Sequence, residues 1–415
     1  MAPADAQMYW MSAKMPNDQF LLYGFAGEPP DIEAAVAEVL TRASACPALL
    51  LRVDDTGSRL RYPAWVSGAV GADQVAVQSG GARGWQSCLD AVTRLAEEQL
   101  DLRRMAWRLH VFPSVHDAPS IAGPATVAVL QIGHALGDGI RSATFAGVLF
   151  GRAATLSAVA RPTCPHLLSR AVAAALAHRR LERDVAAGLL APAAKPRIAL
   201  STNNRPAGAR VVRTLVRSRD ELPEPTVTVG VLAAISAALS GHLSQRGEDA
   251  SALGAEVPMA KGGAPRANNH FRNVGIGLYP GVSSGEERSG RIAAELETRR
   301  RRGEHPAFAA SDRAMAAVPA PLLRWGIAQF DVTARSTVVT GNTVVSSVNR
   351  GAADLDFGGC PVVFTAGYPA LSPMMGLTHG VHGIGRTVAL SVHAAESAMP
   401  DVDEYLDRLA AAVCG

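Results

Sequence analysis

Cysteine is sparse and unpatterned. Cys46, Cys88, Cys164, Cys360 and Cys414 are odd in number, scattered, and include no C-x-x-C pair. Neither a disulfide framework nor a zinc site is indicated, and a reducing, cytoplasmic location is expected. A charge excess is also missing. The formal net charge is +3 over 415 residues, too small for that length to point to nucleic acid. No uninterrupted apolar run reaches the roughly 18–20 residues of a membrane span, so no transmembrane helix is expected. The opening MAPADAQMYW lacks a basic stretch followed by an apolar core, so no signal peptide is expected. Aromatics are few, at 5%, while Ala, Gly and Val abound. What the chain does have is apolar mass, 48% hydrophobic against 19% charged. That is enough for a large core, and the length allows two domains.

Short apolar runs alternate with helical spacings, the pattern of a mixed α/β fold. Strands are predicted over 20–25, 48–53, 60–66, 104–112 and 125–132. Helices are predicted over 32–43, with Asp31 as N-cap, and over 86–100. Pro3-Ala4-Asp5-Ala6 reads as a turn. Pro162 and Pro165 then break the chain, and Leu167 to Leu190 is Ala-rich, helical and basic through Arg179, Arg180 and Arg183. Beyond it, strands are predicted over 209–217, 254–259, 274–279, 342–348, 362–366 and 387–393, with helices over 227–245, 286–302 and 401–413. The run Arg299 to Arg302 suits a helix C-terminus, where cations complement the dipole; a phosphate contact is the alternative. The expected division is 1–160 for a first half, 161–204 for a helical crossover and 205–415 for a second half.

One stretch carries chemistry. Ala125 to Ile132 is an apolar run short enough for a fully buried strand. It stops at Gly133-His134, passes through the turn residues Gly137-Asp138-Gly139, and resumes as a helix to Phe150. His134 therefore sits at the end of a buried strand, where its ring can face a cleft while its backbone stays fixed. His379 and His382, three apart in a Gly-rich stretch read as a loop, lack further ligands nearby, so no metal site is expected. His110 is expected to be packed on its strand.

The spacing H-x-x-x-D-G at His134, Asp138 and Gly139 resembles the active-site motif of the acyl-CoA-dependent, chloramphenicol acetyltransferase-like superfamily. The order of other segments is similar to that of bacterial wax ester synthase/diacylglycerol acyltransferases over nearly the full length. Pro3-Ala4-Asp5-Ala6 resembles that family's S-P-x-D, and Leu100 to His110 its L-D-x-x-x-P-L-W-x-x-H. Thr226 to Leu239 resembles its A-T-V-N-D-V-V-L-A helix, and Asn273 to Pro280 the strand after its G-N pair. Asp356-Phe357-Gly358 echoes the D-F-G loop of BAHD enzymes. There are departures. Gly133 stands where the family has a first histidine, and Met105-Ala106-Trp107 replaces P-L-W. Thr228-Val229 replaces N-D, and Ser346-Ser347-Val348-Asn349-Arg350-Gly351 replaces the late S-N-V-P-G-P.

The resemblance implies two acetyltransferase-like domains of mixed sheet and helices, with the active site at their interface. It implies transfer of a fatty acyl group from acyl-CoA, as co-substrate rather than bound cofactor, to a long-chain alcohol or diacylglycerol. His134 would be the general base, its ordinary pKa near 6.5 suiting the role. Asp138 would hold the loop through an ion pair with an arginine, and Gly139 would allow a tight turn and close approach of substrate. Trp107, Asn273, Ser346 and Ser347 are the substrate-binding candidates. The basic helix leaves room for peripheral contact with the inner face of a membrane or a lipid droplet. Two other readings stay open: a catalytically silent acyl-chain-binding or scaffolding homologue, and an enzyme with a polyketide, glycolipid or amine acceptor.

Overall fold

The computed structural model describes residues 1–78, 83–156, 159 and 166–414. Cys164, Pro162, Pro165 and the expected boundary between residues 160 and 161 lie outside the described residues. Two six-stranded mixed sheets flanked by helices make up the expected α/β architecture.

The first sheet runs edge to edge as Asp356–Phe357, Cys360–Gly367, Gln19–Ala26, Ala125–Ile132, Trp107–Val115 and Val75–Val77. Ala125–Ile132 is central, hydrogen-bonded to Gln19–Ala26 on one side and Trp107–Val115 on the other. All eight of its residues are buried. That is why its sequence reads as a continuous apolar run rather than an alternation. The second sheet runs Phe271–Gly277, Gly254–Ala260, Thr343–Asn349, Leu377–Ile384, Thr387–Ala395 and Arg210–Ser218.

Chain order and sheet membership part company at one place. The strand Cys360–Gly367 comes from late in the chain, yet it pairs antiparallel with Gln19–Ala26 in the first sheet, Leu21 opposite Gly367. Its other face meets the second sheet, where the Thr387 hydroxyl donates to the Val363 carbonyl at 2.7 Å. Phe364 and Ala366 join Leu22 and Val127 from the first sheet and Val212 and Ala389 from the second in one apolar cluster. Burying that shared surface, at about 25 cal/mol per Å² of apolar area, holds the two sheets together.

Several elements differ from the sequence expectation. Pro3–Ser12 is a helix, not a turn. Pro at its first position is compatible with helix entry, and Ala6 and Trp10, four apart, are buried against Ala320, Leu323 and Ile327 of the helix Ala320–Ala328. That helix and Pro306–Met315 had no expectation. The stretch around His379 and His382 is not a loop but the buried strand Leu377–Ile384. Its glycines are there for close approach. A Cβ on Gly380 would lie 2.1 Å from the Gly367 carbonyl oxygen. Both ring nitrogens of His379 are engaged, with Thr343 at 2.8 Å and the Tyr405 hydroxyl at 2.7 Å, which makes it a core pin. The helix Val227–Gln245 is long and apolar enough by composition to cross a membrane, but 67% of that stretch is buried in the fold. It forms the centre of the second core, beneath strands of the second sheet.

Candidate active site between the two sheets

The motif strand delivers His134 to the seam between the sheets. The residue is part-exposed, and its ring stacks on Phe271 of the second sheet, with centroids 5.9 Å apart and planes 27° from parallel. Nδ1 is buried without a hydrogen-bond partner. Burial lowers the pKa below the ordinary 6.5, outweighing the upward pull of the residue's own carbonyl, the Asn269 side chain and the Asp138 charge. The imidazole is therefore neutral at neutral pH and able to accept a proton.

Asp138 caps the helix Gly139–Leu149. One carboxylate oxygen accepts from the Arg141 N–H at 3.0 Å, and the other from the His270 N–H, across the seam, at 2.9 Å. Asp138 is thus a cap and a bridge between halves through main-chain N–H groups, where an ion pair with an arginine was expected. Among arginines, Arg141 is the one whose charged form both Asp5 and Asp138 favour against burial. Gly139 is packed so closely that a Cβ would lie 3.3 Å from the Val348 side chain. The loop is also held from the first sheet, where the Gln19 amide donates to the Gly137 carbonyl.

A second support was not anticipated. Asp5, 1% exposed, reaches from the N-terminal helix to accept from the N–H groups of Asn268 and Asn269 and from the Asn269 amide, each at 3.0 Å. The Asn269 amide also donates to the His134 carbonyl at 2.8 Å. The residue bearing the imidazole is therefore fixed by a chain of bonds that starts at residue 5. Pro3-Ala4-Asp5-Ala6 was the available signal, but a turn reading gave its acid no partner.

His134, Asp138, Gly139, Asn273, Ser346 and Ser347 all line one cavity of about 560 Å³. Trp107 does not. It is fully buried in the first core, its indole N–H donating to the Leu49 carbonyl at 2.8 Å. Asn273 donates to the Glu256 carboxylate, and Ser347 shares a 2.7 Å hydrogen bond with Thr228. A neighbouring cavity of about 710 Å³ has Pro258, Ala260 and Ser347 in its wall as well, with Lys261, Arg272 and Arg300 around it. The basic run beside it is a helix end. Arg299 pairs with Glu295 at 2.6 Å, and Arg302 donates to the Ala191 carbonyl at 2.7 Å.

Comparison with known proteins fits this geometry. Residues 269–413 match the family described as the WS/DGAT C-terminal domain. No curated protein matches the sequence. Among solved structures, the wax ester synthase/diacylglycerol acyltransferase from Marinobacter aquaeolei VT8 superposes with a TM-score of 0.63 at 17% identity, covering 100% of this chain and 97% of that one. The starter condensation domain of rhizomide synthetase RzmA, as a double mutant in complex with C8-CoA and Leu-SNAC, superposes with a TM-score of 0.58 at 13% identity, covering 99% and 94%. The same domain with C8-CoA alone gives 0.58 at 14% identity, covering 100% and 95%. Residues 269–413 thus resemble the C-terminal domain of wax ester synthase/diacylglycerol acyltransferases, and over its whole length the chain has the two-domain, chloramphenicol acetyltransferase-like fold.

Proposed function

We propose that the chain is an acyl-CoA-dependent O-acyltransferase, moving a fatty acyl group to a hydroxyl acceptor such as a long-chain alcohol or diacylglycerol. The observation that carries this reading is the placement of His134: an imidazole kept neutral by burial, on a residue that lines a cavity of about 560 Å³ between the sheets. His134 takes the acceptor's hydroxyl proton as the oxygen attacks the thioester carbonyl. The C–O bond forms, the tetrahedral intermediate collapses, the C–S bond breaks, and the proton passes to the departing thiolate. Base catalysis of this kind contributes about 10²–10⁴-fold. The transfer requires no covalent enzyme intermediate. Ser346 is the candidate donor to the oxyanion: it lines the cavity, and its hydroxyl has no partner within the described residues. The neighbouring cavity, with Lys261, Arg272 and Arg300 around it, suits the phosphates of the CoA donor.

The helix Leu167–Ala186 supports a peripheral, cytoplasmic-face membrane contact. Leu168, Val172 and Leu176, four apart, are 82%, 60% and 58% exposed, and Arg179, Arg180 and Arg183 follow them. An exposed apolar stripe with basic neighbours fits an anionic lipid surface. Flotation with anionic but not neutral vesicles is expected.

The test of the catalytic reading is CoA release from palmitoyl-CoA with a panel of alcohols, wild type beside His134→Ala. Equal rates in the two proteins would sink the general-base role. Saturable acyl-CoA binding without turnover on any acceptor would replace the enzyme with a silent acyl-chain binder.

A further inference from the structure

The cavity wall holds a buried positive charge that no carboxylate among the described residues neutralises. Arg350 is 5% exposed and directly follows the strand Thr343–Asn349. Nη1 donates to the Ala366 carbonyl at 2.9 Å and to the Thr365 hydroxyl, and the guanidinium lies over the Tyr23 ring at 5.2 Å. Nε is buried with no hydrogen-bond partner. The ionisable groups acting on its charge are Tyr23 and Tyr368, and burial raises both phenols, so both stay neutral. The adjacent His382 is pushed well below its ordinary value by burial and by Arg350, so it is neutral too, and its Nδ1 has no partner.

The carboxylates of the same cavity are occupied elsewhere. Asp18 accepts from the Leu100 N–H and the Gln131 amide, Asp138 from the Arg141 and His270 N–H groups, and Glu256 from Asn273. An arginine stays protonated in a protein, and a buried charge without a partner is costly. A bound anion removes that cost. Arg350 and His382 both line the cavity of about 560 Å³, which has the volume for one. Gly367 lets the pair pack against its backbone, where a Cβ would come within 2.8 Å of Arg350 Nη2 and of the His382 ring. The motif loop is close by, because Val348, in register with His382, packs against Gly139. In the resembling S-N-V-P-G-P segment a glycine stands at the place of Arg350, so this charge is a feature of the present chain.

We propose that Arg350, with His382 beside it, binds a carboxylate on the acceptor, so that the preferred acceptor is a hydroxy acid rather than a neutral alcohol or glyceride. This rests on the acyltransferase reading for its substrate role, while the anion site stands on its own geometry. A guanidinium meets a carboxylate through charge-assisted, paired hydrogen bonds, and the matched neutral diol offers no such partner.

The experiment uses the full chain and ω-hydroxy acids from hydroxybutyrate to hydroxydodecanoate, each beside the diol of equal length. Binding is read by calorimetry and acylation by CoA release from palmitoyl-CoA. Wild type and His134→Ala are expected to bind at least one hydroxy acid tenfold or more tightly than its diol. Arg350→Gln should bring the ratio within about twofold, and Arg350→Lys should keep part of it. Equal binding of acid and diol at every length in the wild type overturns the proposal. So does an Arg350→Gln variant that weakens both alike. The wild-type comparison stands even where the variant fails to fold. Selective binding of the acid without its acylation keeps the anion site and removes the acyltransferase reading. Acylation of acid and diol with equal affinity does the reverse.

Discussion

Replacing Asp5 by alanine tests the support under His134 most directly. The carboxylate accepts three N–H bonds, two of them from the main chain of Asn268 and Asn269, residues that are each 6% exposed. Alanine leaves two buried main-chain donors unpaired, at about 1–3 kcal/mol each. Part of that is offset, because burial raises the pKa of Asp5 and its removal ends a desolvation cost. The net loss should be about 2–4 kcal/mol. Asp5→Asn keeps one carbonyl oxygen for these donors and should lose roughly half as much. Urea unfolding followed by far-ultraviolet circular dichroism measures this, with an unchanged slope expected. Acyl-transfer rate should fall in the same order, because the Asn269 amide that holds the His134 carbonyl is itself held by Asp5. A variant within about 0.5 kcal/mol of wild type and with full activity would refute the argument that residue 5 positions the site.

Four other outcomes follow from the same geometry. His134→Ala should lose about 10²–10⁴-fold in acyl transfer with little change in stability, since Asn269 bonds to the main-chain carbonyl of residue 134. In the wild type the acid limb of kcat/KM should fall below pH 6.5, because burial lowers the His134 pKa; a limb above 6.5 would contradict the assignment. Asp138→Ala should cost about 2–4 kcal/mol, from the lost cap and the unpaired His270 N–H, read by thermal unfolding. Asp18 is pushed from 3.8 up to about 6 by burial. Its contribution to stability is full below 3.8 and lost as pH rises through about 6. Asp18→Asn should therefore flatten stability across that window and stabilise at pH 7 by at most roughly 3 kcal/mol. An unchanged pH profile would dismiss a buried acid there.

The motif was readable because its strand is central. A fully buried run followed by a Gly-His end and a capped helix start has a local signature, and His134, Asp138 and Gly139 fall together in one cavity wall. The supports were not readable, because each depends on a long-range meeting: Asp5 with Asn269, Asp138 with His270, Arg350 with Gly367 and His382. Trp107 drew attention through its place in a family-like segment, but its indole is satisfied in the core by Leu49. The strand Leu377–Ile384 was hidden by its glycines. They signal turns when read locally and close strand packing when the neighbouring Gly367 carbonyl is in place.

The insertion of Cys360–Gly367 beside Gln19–Ala26 bears on how the chain is made. During synthesis the first half emerges with one flank of Gln19–Ala26 unpaired, and more than three hundred residues separate it from the strand that will cover it. Until then that flank is an open template for other chains. The first half is thus a folding debtor to the second. Early termination, or splitting the gene between the halves, should yield an aggregating fragment rather than a free-standing lobe, and co-expression of the missing half should rescue it.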